Sequence, residues 1–73
     1  MIPIGIKNLT GNTLYIKELQ TIVGGNRTVF LGDYDFFSLI KAWSLKNAIV
    51  AGSAVIVRDN VVLSQTDSLI YLI

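Results

Sequence analysis

The chain reads as a mainly β, α+β domain: a small antiparallel β-barrel or sandwich of hairpins, with a short helical segment between its N-terminal and C-terminal strands. Three observations predict this. Apolar residues recur at every second position in short runs, which is the period of a strand. Clusters of glycine, asparagine and aspartate separate those runs, as hairpins require. Only between residues 34 and 51 does the apolar spacing change to that of a helix.

Ile2, Ile4 and Ile6 alternate with Pro3, Gly5 and Lys7, so the first strand has one apolar face. Pro3 has no N–H to donate and places that strand at an edge or a strand start. Residues 8–12, Asn-Leu-Thr-Gly-Asn, form a turn by composition. Residues 13–19 make the second strand, close enough to the first to pair with it as a hairpin. Thr21, Ile22 and Val23 make a third. Gly24-Gly25-Asn26 tolerates the positive φ of a tight reversal, and residues 27–31 pair back as a fourth strand.

Asp33 or Asp35 then opens a first helix over residues 34–43, where an acid is favourable. Phe36, Leu39, Ile40 and Trp43 stand at i, i+3, i+4 and i+7, an apolar stripe that assigns Trp43 to the core. Ser44 caps a second helix, with Leu45, Ala48 and Ile49 on one face. Gly52 stops it, because glycine enters the left-handed conformation without steric cost. Two turns of helix are unstable alone, so this segment must lie on the sheet. Residues 55–58 and 61–64 form a hairpin about Asp59-Asn60. Residues 68–73 are apolar on both faces and read as a buried last strand.

With 73 residues, the chain is one domain, 1–73. A domain of this size buries only about 60% of the surface its unfolded chain exposes, and small domains often carry a staple. Here there is no cysteine for a disulfide, and no cysteine or histidine for the usual zinc sites. Yet 52% of residues are apolar and only 15% are charged, with a mean hydropathy of +0.59. A missing staple and surplus apolar surface have one joint solution, oligomerisation. A net charge of +1 carries no polyelectrolyte signature. The N-terminus has no basic region followed by a long apolar core, so no secretory signal is expected. The longest apolar run, residues 48–57, is broken at Gly52 and Ser53 and is too short to span a membrane.

No arrangement of residues points to catalysis, and no cofactor or metal is expected. Without histidine, a nucleophile lacks its usual base. Ser38 and Lys41 have the Ser-x-x-Lys spacing of serine acyl-enzymes without the companion motifs. Asp33 and Asp35 are the only close carboxylates and fit a helix cap better than an acid–base pair. Gly24-Gly25 leads into a strand, whereas phosphate loops lead into a helix. Asn8-Leu9-Thr10 and Asn26-Arg27-Thr28 match the glycosylation pattern but sit in turns. The cations are scattered singly, against the basic groove and free aromatics that nucleic-acid binding needs.

The order of turns and caps resembles something known. Asn8-Leu9-Thr10, Gly24-Gly25, Asp33-Tyr34, Ser44-Leu45, Ile49, Gly52-Ser53, Val55 and Val57 together resemble small structural proteins of tailed bacteriophages, a group that includes capsid decoration proteins and fibre or tail modules. The resemblance spans roughly residues 2–63, and the segment after Ser64 stands outside it. It implies a virion component assembled in the host cytoplasm. The expected partners are other virion proteins, such as a major capsid protein or tail and portal proteins, and further copies of the chain. A small-molecule substrate, nucleic acid and a membrane are not expected. The apolar residues assigned to such contacts are Ile2, Ile4, Tyr34, Phe37, Leu69, Tyr71 and Ile73. The alternative of another class is a small nucleic-acid-binding or regulatory β-barrel.

Overall fold

In the computed structural model, residues 4–31 and 39–72 are described. The fold is mixed α+β with antiparallel strands throughout, and the sheet is open rather than closed into a barrel. Its elements in order are β1 (Ile4–Asn8), β2 (Leu14–Ile16), a 3₁₀ turn (Lys17–Leu19), β3 (Thr21–Val23), β4 (Thr28–Phe30), α1 (Trp43–Val50), β5 (Ala54–Arg58), β6 (Val61–Val62) and α2 (Gln65–Tyr71). Four strands form one sheet in the order β4-β1-β5-β6, and β2-β3 form a separate ribbon.

This pairing departs from the expected one. β1 was expected to pair with β2, and β3 with β4. Instead β1 lies between β4 and β5, with Ile6 opposite both Val29 and Ile56. β2 pairs with β3, with Tyr15 opposite Ile22. The 3₁₀ turn makes this possible by ending the second strand three residues early, and Gln20 completes the reversal in the left-handed region at φ 49°. The Gly24–Asn26 corner then joins the ribbon to the sheet. A Cβ on Gly25 would collide with the carbonyl of Gly11, so the close approach of the two turns requires glycine there.

Asn8 fastens that junction. It is fully buried. Its Nδ2 donates to the carbonyls of Asn12 at 2.6 Å, Val23 at 3.1 Å and Gly24 at 3.2 Å. Its Oδ1 accepts from Thr10 N–H at 2.9 Å and Thr10 Oγ1 at 2.8 Å. One side chain thereby satisfies backbone groups of both turns and of the end of β3. A glycan has no access to it in the folded chain.

The core lies between the inner face of the sheet, the ribbon and the helices. Ile6, Ile16, Leu19, Val23, Leu39, Leu45, Ile49, Ile56 and Leu72 are its fully buried large side chains. Each contributes roughly 1.5–3 kcal/mol by leaving water. Leu45, Ala48 and Ile49 are the buried face of α1, as their spacing predicts. Gly52 stands at φ +79°, the left-handed position expected of it. The Asp59-Asn60 hairpin also forms, with both residues at positive φ (52° and 63°) as a two-residue turn matched to strand twist demands.

Two expectations about secondary structure are corrected. Residues 34–38, half of the expected 34–43 helix, lie outside the described residues. Its end does not: Leu39 and Ile40 are helical, and the chain turns at Lys41. Trp43 therefore begins α1 in a new phase and is 65% exposed rather than part of a core stripe. The second correction is the C-terminus, where residues 65–71 form a helix and not a strand. Ser64 caps it, its Oγ accepting from Asp67 N–H at 3.1 Å, and Asp67 is an acid in the first turn. Ser68 and Leu72 then face inward one turn apart, which the reading of residues 68–73 as apolar on both faces concealed.

Ser68 has a specific task. Where β6 ends, Leu63 N–H donates to the Ile56 carbonyl at 2.9 Å. The Ile56 N–H on the same side donates to the buried Ser68 Oγ, also at 2.9 Å. A helix side chain thus replaces the strand that β5 would otherwise need. The Gln65 amide donates to the carbonyls of Ile49 at 2.8 Å and Val50 at 2.9 Å, tying α2 to the end of α1.

Candidate assembly surface

The residues assigned to contacts divide into two groups. Ile2, Tyr34, Phe37 and Ile73 lie outside the described residues. Ile4, Leu69 and Tyr71 are half-buried and pack against the chain's own core. The Arg58 guanidinium also stands 5.3 Å from the centre of the Tyr71 ring, which holds α2 against the end of β5.

The structure exposes a different apolar set. Tyr15 and Ile22 face each other across the ribbon and point outward. Trp43 and Val50, at i and i+7, lie on the same exposed face of α1, and Ile70 is on the outside of α2. On the four-stranded sheet a row crosses all the strands in register: Phe30, Gly5, Val57, Val62. The Phe30 ring covers Gly5, with ring carbons 3.1 and 3.2 Å from where a Cβ would stand. Val57 is buried within the row, while Phe30 (54%) and Val62 (51%) are open at its ends. Alternation identifies the two sides of a strand but not which side the core takes, so these residues were hidden from sequence reasoning.

The charged groups are arranged for the fold. Glu18, in the 3₁₀ turn, accepts from Ser44 N–H at 3.1 Å (Oε1) and from Ser44 Oγ at 3.2 Å (Oε2). Ser44 was expected to cap α1 itself. The helix begins two residues earlier than that, with Ala42 at the cap position and no side-chain cap of its own. Glu18 supplies the missing acceptor from a distant turn. A hydrogen bond from the Glu18 backbone N–H, then those from Ser44 and the nearby Lys17, hold this carboxyl below its ordinary range, against a partly opposing desolvation. A carboxylate with a lowered folded-state pKa adds stability above its unfolded value, lost as pH falls through the folded value. Wild type is therefore expected to be more stable than Glu18→Gln at neutral pH. The difference should vanish in acid, below the ordinary glutamate value near 4.5. Urea denaturation across that range checks it, and a difference independent of pH would remove the cap assignment.

Among the described residues no group of three or more His, Cys, Asp or Glu could hold a metal. Glu18, Asp59 and Asp67 are exposed on separate elements. Asp33, Asp35 and Ser38 lie outside the described residues, so neither the carboxylate pair nor the Ser-x-x-Lys spacing acquires a geometry. No helix among the described residues is long and apolar enough to cross a membrane. Comparison with known protein families, curated proteins and solved structures gives no match.

Proposed function

We propose that this chain is a non-enzymatic structural subunit of a tailed-bacteriophage particle, a capsid decoration or cement protein that strengthens contacts between major capsid proteins. A tail, neck or fibre-attachment component is the neighbouring assignment within that class. The observation that carries the reading is the outward placement of large apolar side chains on the ribbon, both helices and the sheet of a chain with only 15% charged residues. Monomeric proteins rarely leave extended apolar patches in water, whereas lasting interfaces are large and hydrophobic. The turn-and-cap pattern of residues 8–57 supports the phage assignment within that class.

The test is composition of the particle. Virions purified by gradient sedimentation are expected to contain the chain at a fixed ratio to one other structural protein, after a high-salt wash. Capsids separated from tails then distinguish the two placements. Loss of the chain in the wash, or its absence from both fractions, overturns the proposal.

One observation favours a second reading. Trp43 is exposed, and Lys46 Nζ stands 4.8 Å from the centre of its ring. A free aromatic beside a cation is an element of single-strand nucleic-acid binding. Binding to oligonucleotides that weakens steeply between two salt concentrations would support it, and salt-independent assembly would not.

A further inference from the structure

The two edges of the four-stranded sheet are treated differently. On the β6 side the edge strand has two residues, and beyond them Ser68 accepts the Ile56 N–H. That edge is closed by brevity and by a helix, two of the ways in which sheets avoid unwanted pairing. The β4 edge has no such cover among the described residues. Leu31 N–H donates to the Ile4 carbonyl and Asn8 N–H donates to the Arg27 carbonyl, both across to β1, with Val29 opposite Ile6 between them. In an antiparallel ladder the alternate residues point their backbone groups the other way. The N–H and C=O groups of Thr28 and Phe30 therefore line the outer edge. The strand Thr28-Val29-Phe30 has high strand propensity and contains no proline or charge to guard it.

We infer that β4 is the seam through which two copies of this chain pair, edge to edge and antiparallel, about a two-fold axis at Val29. The inference rests on the assembly reading above and names its partner as a second copy. The free groups belong to residues placed symmetrically about Val29. A two-fold axis there sets Thr28 of one copy opposite Phe30 of the other, and each facing pair exchanges both of its hydrogen bonds. The contact is isologous and closes on itself, so it yields a dimer and not a fibre. Thr28 and Phe30 also share the outer sheet face. Pairing brings the exposed ring of each Phe30 over the Thr28 of the other copy and within reach of the other ring. The row Phe30-Gly5-Val57-Val62 then meets the row Thr28-Lys7-Val55 of the other copy. Arg27 stands at opposite ends of the seam in the two copies, so the pairing meets no like-charge contact.

Thr28→Pro and Phe30→Lys test it in the whole chain. Proline is tolerated on an edge whose N–H faces solvent, and here it removes only the outward donor. Phe30→Lys places a charge on the edge by a different chemistry. Sedimentation velocity over a wide concentration range is expected to show a monomer–dimer equilibrium for wild type. Each variant should weaken it by about tenfold or more, with unchanged circular dichroism. In wild type, the Thr28 and Phe30 amides should exchange slowly with deuterium at high concentration and rapidly on dilution. A wild-type chain that stays monomeric, folded variants that dimerise as tightly as wild type, or edge amides that exchange rapidly within the dimer would each overturn the seam. A monomer that still copurifies with particles sinks the pairing alone. A dimer that is absent from particles sinks the particle assignment alone.

Discussion

Asn8→Asp is expected to abolish cooperative folding. Aspartate has the shape of asparagine but no donor. At this fully buried position it would present a carboxylate to the carbonyls of Asn12, Val23 and Gly24, which Asn8 Nδ2 now satisfies. Leaving one buried polar group without a partner costs about 1–3 kcal/mol, and more for a charge. The whole stability of a domain of this length is about 4–11 kcal/mol, at 0.05–0.15 kcal/mol per residue. Asn8→Ala, which leaves the carbonyls unpaired without adding a charge, should lose about 2–4 kcal/mol. Thr10→Val should lose less, because it removes one donor to Oδ1 and two exposed bonds with the Asn12 backbone, to its carbonyl and from its N–H. Urea denaturation followed by circular dichroism measures the series. An aspartate variant within about 1 kcal/mol of wild type would show that the junction is held by something else.

Removal of residues 69–73 is expected to unfold the chain rather than to produce a folded subunit that cannot assemble. Read as a strand, that segment looks like a detachable interface. Its burial says otherwise. Leu72 is 1% exposed, and Leu69 and Tyr71 pack against the same core. Truncating one such leucine costs about 2–5 kcal/mol, and the deletion also leaves α2 too short to hold Ser68 on the Ile56 N–H. Thermal unfolding should lose its cooperative transition. Two point variants separate the contributions. Ser68→Ala removes only the hydroxyl and orphans one buried N–H, for a loss of about 1–3 kcal/mol. Ile70→Ser alters an exposed position and should leave the melting temperature nearly unchanged. A truncated chain that still melts cooperatively would mean that α2 is an accessory to the fold.

The elements that could be read from the chain are those fixed by their own neighbours. Thr21–Val23, the Asp59-Asn60 turn, the Leu45–Ala48–Ile49 face and the left-handed Gly52 all follow from spacing or from backbone sterics within a few residues. The final helix was equally local, since Ser64-x-x-Asp67 is a capping pattern. It was outweighed by an apolar run that suits a buried strand and a helix alike. Trp43 was misplaced for a related reason. A stripe at i, i+3, i+4 and i+7 assumes one continuous helix, and the chain turns at Lys41.

The candidate surface was less legible than the fold. The sequence showed that apolar residues outnumber what a small core can take, but not which ones remain outside. Ile4, Leu69 and Tyr71 turned inward, while Tyr15, Ile22, Trp43 and Phe30 turned out. The core side of each strand depends on what packs over it, and those partners come from distant parts of the chain.

By itself, then, the sequence determined the class of fold, its turns and stops, and the excess of apolar side chains over charge, because each is a property of composition or of a few adjacent residues. The tertiary structure alone decided that β1 sits between β4 and β5, that Glu18 caps a helix begun 25 residues later, and that one sheet edge is sealed by Ser68 while the other has no such cover among the described residues. Backbone hydrogen bonds are the same for every pair of strands. Which strands meet is therefore settled only when all the buried faces find one arrangement that satisfies them together.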